Sequence, residues 1–198
     1  ATGDTLNSVI RAKIEELKSE DRIGTMQFFK CTLVMVEEVG GKDIPFSAIT
    51  VEWLQKCEKL WSKTRSVSTI GMHMRNIRTL MNEAKRAGVI KESQYPFGKG
   101  LFEIKTGIRR KKGLTKKQLK AIFDYKSGNE TTNRYKDLWI FIYLCNGINP
   151  TDMLKLKFSD IVDGEICFVR QKTERTTKNR KEIRATISVQ MQAVIDKW

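Results

Sequence analysis

The sequence predicts a mainly α-helical protein in which a four-helix domain precedes a smaller α+β domain. Three observations lead to this prediction. Within residues 4–87, apolar side chains recur at spacings of three and four, the period of amphipathic helices. A segment rich in glycine and basic residues follows at 91–114. Beyond it, a strongly apolar helical pattern leads into two short stretches of alternating apolar residues, which is typical of a β-hairpin.

Four helices are predicted in the first domain, at 4–20, at 26–39, after Thr50 and at 67–87. The dipeptide Gly24-Thr25 is expected to separate the first two helices, with Thr25 as N-cap of the second. Gly88 is expected to end the fourth helix, because glycine adopts the left-handed conformation that follows many helices. The inward stripes of the first and fourth helices are Leu6, Ile10, Ile14, Leu17, Ile70, Met74, Ile77, Met81 and Ala84.

The charge of the chain is high and clustered. Its 37 Lys and Arg against 23 Asp and Glu give a net charge of +14. Residues 1–98 hold 15 basic and 12 acidic side chains, residues 99–120 hold nine and one, and residues 170–184 hold seven and two. Such clustering favours a surface that follows the phosphates of a nucleic acid. The alternative is a charged surface that only maintains solubility.

One face of the predicted fourth helix is basic. Offsets of three, four and seven put most of its polar residues on one side, and Arg and Asn are the side chains that recognise guanine and adenine in a major groove. An ordinary solvated helix face is the alternative. His73 lies near this face and is predicted to be a surface or phosphate-contacting residue. The candidate DNA-binding residues are Arg75, Arg78, Asn82, Lys85 and Arg86.

Residues 91–114 are predicted to connect the two domains. Several glycines and Pro96 disfavour a long helix, and the run Arg109, Arg110, Lys111 and Lys112 is strongly basic. A cationic connector of this kind is suited to lying along a DNA backbone. A flexible tether with incidental charge is the alternative.

The second domain is predicted to start at Thr115, whose hydroxyl forms a capping box with Gln118. An apolar helix is expected at 133–145 and a short one at 150–157, for which Asn149 and Pro150 make a favourable start. The strands are expected at 165–170 and 182–187, and a last helical segment at 188–198.

Other function classes are disfavoured by the sequence. Its four cysteines are scattered and it has one histidine, which argues against a zinc site and for free thiols in a reducing compartment. No apolar run approaches the length of a membrane span, and the first residues do not resemble a secretory signal. We therefore expect a cytoplasmic, nucleoid-associated protein without metal or cofactor.

Three segments together resemble the tyrosine recombinases, or phage-integrase family, and especially the integrases of mobile elements. They are STIGMHMRNIRTLMNEAKRAGVI with YPFGKG after it, LTKKQLKAIFDY, and LCNGINPTDMLKLKFSDI. The resemblance implies a SAM-like core-binding domain at 1–92, a basic linker at 93–113 and the N-terminal part of a catalytic domain at 114–198. It also implies that the protein binds a duplex as a C-shaped clamp.

The resemblance implies a specific chemistry. Members of the family cleave and rejoin DNA through a 3′-phosphotyrosyl intermediate, with arginines stabilising the phosphate and a hairpin lysine acting as general acid. The hairpin lysine matches Lys172, and Asp152 matches a supporting carboxylate. The first catalytic arginine falls on Asn149, which cannot supply a cationic fork; Lys155 or Arg170 could replace it. Arg170 and Arg175 are further candidate DNA contacts.

No tyrosine follows Tyr143 and no histidine follows His73, so the family's His-x-x-Arg box and nucleophile have no match. We expect the natural protein to continue past Trp198, to supply these residues and to act as a homotetramer on DNA. The chain as given is then an inactive DNA-binding part of a recombinase. The alternatives are a non-catalytic DNA-binding module or regulator derived from an integrase, and a helical RNA-binding protein.

Overall fold

The computed structural model describes residues 5–108, 113–170 and 182–198. The chain divides into two compact units, residues 1–110 and 111–198, here called the first and second unit. The first unit is helical, and the second combines helices with a small antiparallel sheet, as predicted. The helices are α1 (Leu6–Ser19), α2 (Ile23–Gly40), α3 (Val51–Trp61), α4 (Val67–Arg86), α5 (Lys116–Asp124), α6 (Glu130–Leu144), α7 (Pro150–Met153) and α8 (Val189–Lys197).

Helices α1 to α4 enclose one hydrophobic core in the first unit. Every residue of the two predicted inward stripes is buried, which confirms the helical periodicity of α1 and α4. Trp61 at the end of α3 is 2% exposed, and its indole nitrogen donates a hydrogen bond to the Met35 carbonyl. Thr50, after which the sequence predicts the third helix, accepts a hydrogen bond from the Trp53 amide and is the N-cap of α3. Gly88 has φ +72°, as expected for the residue after the C-cap of α4.

The turn between α1 and α2 differs from the prediction. Asp21, not Gly24, adopts the left-handed conformation, with φ 54°, and the Arg22 amide donates back to the Leu17 carbonyl. These contacts end α1 in the manner of a Schellman motif. Arg22 is therefore the N-cap of α2, and Thr25 lies inside its first turn without capping it. The backbone reversal is complete before the Gly-Thr pair is reached.

In the described part of the second unit, a three-stranded antiparallel sheet packs against helices α6 and α8. Its strands are β1 (Ile161–Val162), β2 (Glu165–Val169) and β3 (Glu182–Thr186), in the order β1-β2-β3. The two predicted strands are confirmed, and β1 adds a strand that the sequence pattern did not indicate. Ile166 pairs with Ala185, and both are buried against residues of α6 and α8.

The local capping signals of the second unit are confirmed. Thr115 and Gln118 form the predicted capping box of α5. Asn149 caps α7 by accepting a hydrogen bond from the Thr151 amide at 2.9 Å, with Pro150 as the first helical residue. Helix α7 ends at Met153, earlier than the predicted residue 157. The last helix, α8, begins at Val189 after its N-cap Ser188.

Candidate nucleic-acid interface

The basic face of α4 lies on the solvent side of the first unit. Ser66 caps the helix by accepting a hydrogen bond from the Thr69 amide, and the opposite side of the helix packs in the core. Arg75, Arg78 and Arg86 are exposed, and Asn82 is half-buried. The core on one side of an amphipathic helix thus directs these cations towards solvent.

Lys85 differs from the other residues of this face. Its ammonium lies 3.1 Å from the Glu92 carboxylate and 4.6 Å from the centre of the Tyr95 ring. The Glu92 carboxylate partly offsets the positive charge of Lys85, and the aromatic ring covers one side of its ammonium group. Lys85 therefore offers less to an anionic partner than its position in the sequence suggests.

Two of the exposed arginines, Arg75 and Arg78, line an open groove of about 560 Å³. Arg75 and Arg78 come from α4, while the other wall is formed by the segment after the helix, with Lys99, Glu103 and Thr106. No helical pattern in the sequence indicates these last three residues. Lys99 could have been noticed as the first cation of the basic stretch 99–120 and as part of the segment YPFGKG.

The segment that forms this wall is packed on the first unit. Phe97 and Phe102 are both buried in its core, with ring centres 5.9 Å apart in an edge-to-face arrangement. A Cβ atom at Gly71 would lie 2.9 Å from the Lys105 carbonyl, so the chain crosses α4 where that helix lacks a side chain. The first part of the predicted linker 93–113 therefore belongs to the wall of the groove, because its aromatic residues fill the core.

His73 is buried, and the prediction that it lies at the surface is wrong. Its Nδ1 lies 2.9 Å from the Thr32 hydroxyl, and its ring stacks on Phe28 at 5.7 Å. Because that hydroxyl donates to the Phe28 carbonyl, Nδ1 is the donor towards Thr32. Burial, with a smaller contribution from the nearby charge of Arg65, lowers the pKa of His73. A neutral, hydrogen-bonded imidazole in the core has a structural role.

In the second unit Asn149 and Asp152 lie at the start of α7. Asp152 is buried, consistent with a supporting carboxylate, whereas Asn149 is exposed and engaged in capping. Asp152 and Lys155 line a cavity of about 330 Å³ together with Glu182 of β3. Arg170, exposed after the end of β2, is not among the residues lining this cavity.

Several predicted site residues lie outside the described residues. Their roles stay predictions. They are Lys172 and Arg175 between β2 and β3, and Arg109, Arg110, Lys111 and Lys112 between the two units.

Membrane-spanning helices and metal-binding groups are both absent from the described part of the chain. It contains no helix that is both long and apolar enough to cross a bilayer. In the same residues no group of three or more His, Cys, Asp or Glu side chains is arranged to hold a metal ion.

The family model of the phage integrase SAM-like domain matches residues 5–104. The chain belongs to this integrase family. The match covers α1 to α4 and the wall of the groove up to Ile104, which confirms the resemblance drawn from the sequence. No curated protein sequence matches the chain.

Solved structures similar to this integrase-family chain include complexes of the Tn1549 transposon integrase with DNA. A variant of that integrase with a circular intermediate DNA gives a TM-score of 0.69 at 13% identity, over 98% of this chain and 65% of that chain. A variant with transposon right end DNA gives 0.67 at 12% identity, covering 98% and 64%. The chain thus spans about 65% of the solved integrase, and at these identities the likeness shows the fold.

Proposed function

We propose that the chain is the duplex-DNA-binding part of a site-specific recombinase that integrates a mobile element. The observation that carries this proposal is the open cationic groove on a SAM-like integrase domain. Arg75, Arg78 and Lys99 face solvent there, and similar solved integrases are complexes with DNA. A polyanion with regularly spaced phosphates is the partner that suits such a surface.

Fluorescence anisotropy with a labelled mixed-sequence duplex tests this proposal. We expect affinity to fall steeply between about 50 and about 200 mM salt, because binding of phosphates by Lys and Arg releases counterions. Unlabelled duplex DNA should compete better than a structured RNA of equal length. Equal or better competition by the RNA would favour the RNA-binding alternative, and absence of binding at low salt would refute the proposal.

For the complete protein we propose strand cleavage and rejoining through a 3′-phosphotyrosyl intermediate. Lys172 would protonate the leaving oxygen as general acid, and Asp152 would support the site from the start of α7. The attacking tyrosine would come from residues after Trp198 in a longer protein. Such a protein would act as a homotetramer on its recombination site, in the cytoplasm and close to the nucleoid.

A non-catalytic DNA-binding module is the second candidate, and Asn149 favours it. The side chain at this position caps α7 and carries no charge, so it cannot grip a phosphate as an arginine would. A nicked suicide substrate distinguishes the two candidates when the complete protein is used. A covalent complex that is lost on Lys172→Ala supports the recombinase, whereas binding without any covalent complex supports the module.

A further inference from the structure

The groove between α4 and the segment 97–106 has a composition that the sequence pattern of α4 alone does not reveal. Three cations line it, Arg75, Arg78 and Lys99, against one acidic side chain among the lining residues, Glu103. Three positive charges less one negative charge leave it at +2. A hydroxyl group, that of Thr106, completes its polar lining.

In residues 5–108, 113–170 and 182–198, the side chains of these three cations form no hydrogen bond with another group. Within the parts of the chain that the structure describes, none of them makes an ion pair, whereas Lys85 pairs with Glu92 and Lys105 pairs with Glu58 at 2.8 Å. Unpaired cations that share one concave surface repel each other. An anion placed between them relieves this repulsion, so the groove favours a ligand with concentrated negative charge.

Because the groove is concave, it suits a backbone phosphate of DNA better than a base edge. A base edge lies inside a DNA groove and is reached by side chains that project from the protein. A phosphate projects from the DNA surface and fits a hollow in the protein. Arg75 and Arg78 line the hollow, whereas Asn82 and Arg86 are on the same face of α4 but not among the lining residues.

The wall that carries Lys99 is held in place before any ligand binds. Phe97 and Phe102 anchor it in the core, and the amide of Phe102 donates to the Pro96 carbonyl at 2.9 Å. The contact of the Lys105 backbone with Gly71 fixes its other end. Because the backbone that carries Lys99 is already ordered, binding costs only the ordering of the exposed side chains, which strengthens a contact of given geometry.

We propose that this groove is a seat for one DNA phosphodiester, bound by Arg75, Arg78 and Lys99. The inference rests on the proposed DNA-binding function and changes the role of two residues within it. Arg75 and Arg78 position the chain on the backbone of the duplex, whatever its sequence. Recognition of bases by α4 is then left to Asn82 and Arg86.

Removal of the negative charge from the groove gives the sharpest test. Glu103→Gln should tighten binding to a mixed-sequence duplex by about fivefold at low salt, because one charge that opposes the phosphate is lost. Glu15→Gln, the same change on α1 outside the groove, is the matched control and should have a smaller effect. Since a gain of affinity does not result from unfolding, an unchanged or weaker Glu103→Gln complex would overturn the proposal.

A second test asks which property of DNA the arginines sense. Arg78→Ala and Lys99→Ala should each weaken two duplexes of unrelated sequence by the same factor and make the salt dependence shallower by about one unit. Arg22→Ala removes one positive charge outside the groove and is the control. Selection of preferred duplexes from a randomised pool should return the same sequences for Arg78→Ala as for the unaltered chain. A changed preference would overturn the phosphate seat.

The two proposals fail in different ways. If the chain does not bind duplex DNA at all, the proposed function is wrong before any variant is compared. If the unaltered chain binds and its groove variants behave like the controls, the DNA-binding function stands and the phosphate seat is refuted.

Discussion

The two units of the chain differ in how completely they bury their apolar residues. In the described part of the first unit, 23 residues form one buried cluster, and in that of the second unit six do. Large apolar side chains of the second unit remain open to solvent, with Phe158 80% exposed and Val189 84% exposed. The candidate DNA interface is therefore supported by a large buried core, whereas Asn149 and Asp152 belong to a unit with a small one.

The largest effect should follow from a cavity in the deep core. Leu54 is fully buried in α3, and Leu54→Ala should lower the free energy of unfolding of the first unit by about 3 kcal/mol. Phe158→Ala in the second unit removes a larger but exposed side chain and should cost under about 0.5 kcal/mol. Denaturant unfolding with hydrogen exchange on peptides of each unit measures both. A larger loss of stability for Phe158→Ala than for Leu54→Ala would contradict this difference between the two units.

A smaller effect is expected where the chain crosses α4. Gly71→Ala places a methyl group 2.9 Å from the Lys105 carbonyl, and relief of this contact should cost about 1–3 kcal/mol. The displaced wall should also weaken DNA binding, although no charge has changed. Gly24→Ala is the control, because nothing lies within 4 Å of a Cβ atom there. Equal DNA affinity of the two variants would argue against a fixed wall.

The second unit depends on a polar contact between two of its helices. Asp137 on α6 accepts hydrogen bonds from the Lys197 ammonium at 2.7 Å and from the Trp198 indole at 3.2 Å. Burial raises the pKa of Asp137, but these hydrogen bonds and the charge of Lys136 outweigh burial and lower it overall. Asp137→Ala should therefore destabilise the second unit by about 1.5 kcal/mol at neutral pH.

The stabilisation by the Asp137 carboxylate should depend on pH only in the acid range. A carboxyl group with a lowered pKa stabilises the fold above its ordinary value of 3.8, and this contribution is lost as pH falls through the folded-state pKa. The destabilisation by Asp137→Ala, measured by urea unfolding of the second unit, should shrink only below that value. Shrinkage at pH 6 would show that another group is responsible.

The smallest effect on stability is expected from the titration of His73 in the first unit, and it falls in a higher pH range than that of Asp137. Because burial lowers its pKa, the unfolded chain takes up a proton below the ordinary value of 6.5 before the folded chain does. The contribution of His73 to the free energy of unfolding of the first unit is therefore complete above pH 6.5. It is lost progressively as pH decreases towards the folded-state pKa. His73→Asn removes this titration, and urea unfolding of the variant should depend less on pH between about 5 and 7. An unchanged pH dependence would contradict the interpretation.

Helical faces and caps could be predicted because they depend on neighbours in sequence. The stripes of α1 and α4, the caps at Thr50, Thr115 and Asn149, and the turn glycine Gly88 all follow from spacings of one to four residues. The turn at Asp21 was missed, since an aspartate in the left-handed conformation has no strong signal beside a Gly-Thr pair.

Local sequence patterns thus predicted the helical first domain, the following α+β part, the positive charge and the resemblance to integrases. The packing of distant segments, in contrast, sets which polar side chains can contact a ligand. It placed His73 in the core through Thr32, a partner 41 residues away, and tied Lys85 to Glu92. It also brought Lys99 and Glu103 beside Arg75 and Arg78 in one groove. Periodicity within one helix cannot specify such contacts, because they depend on where separate segments of the chain pack.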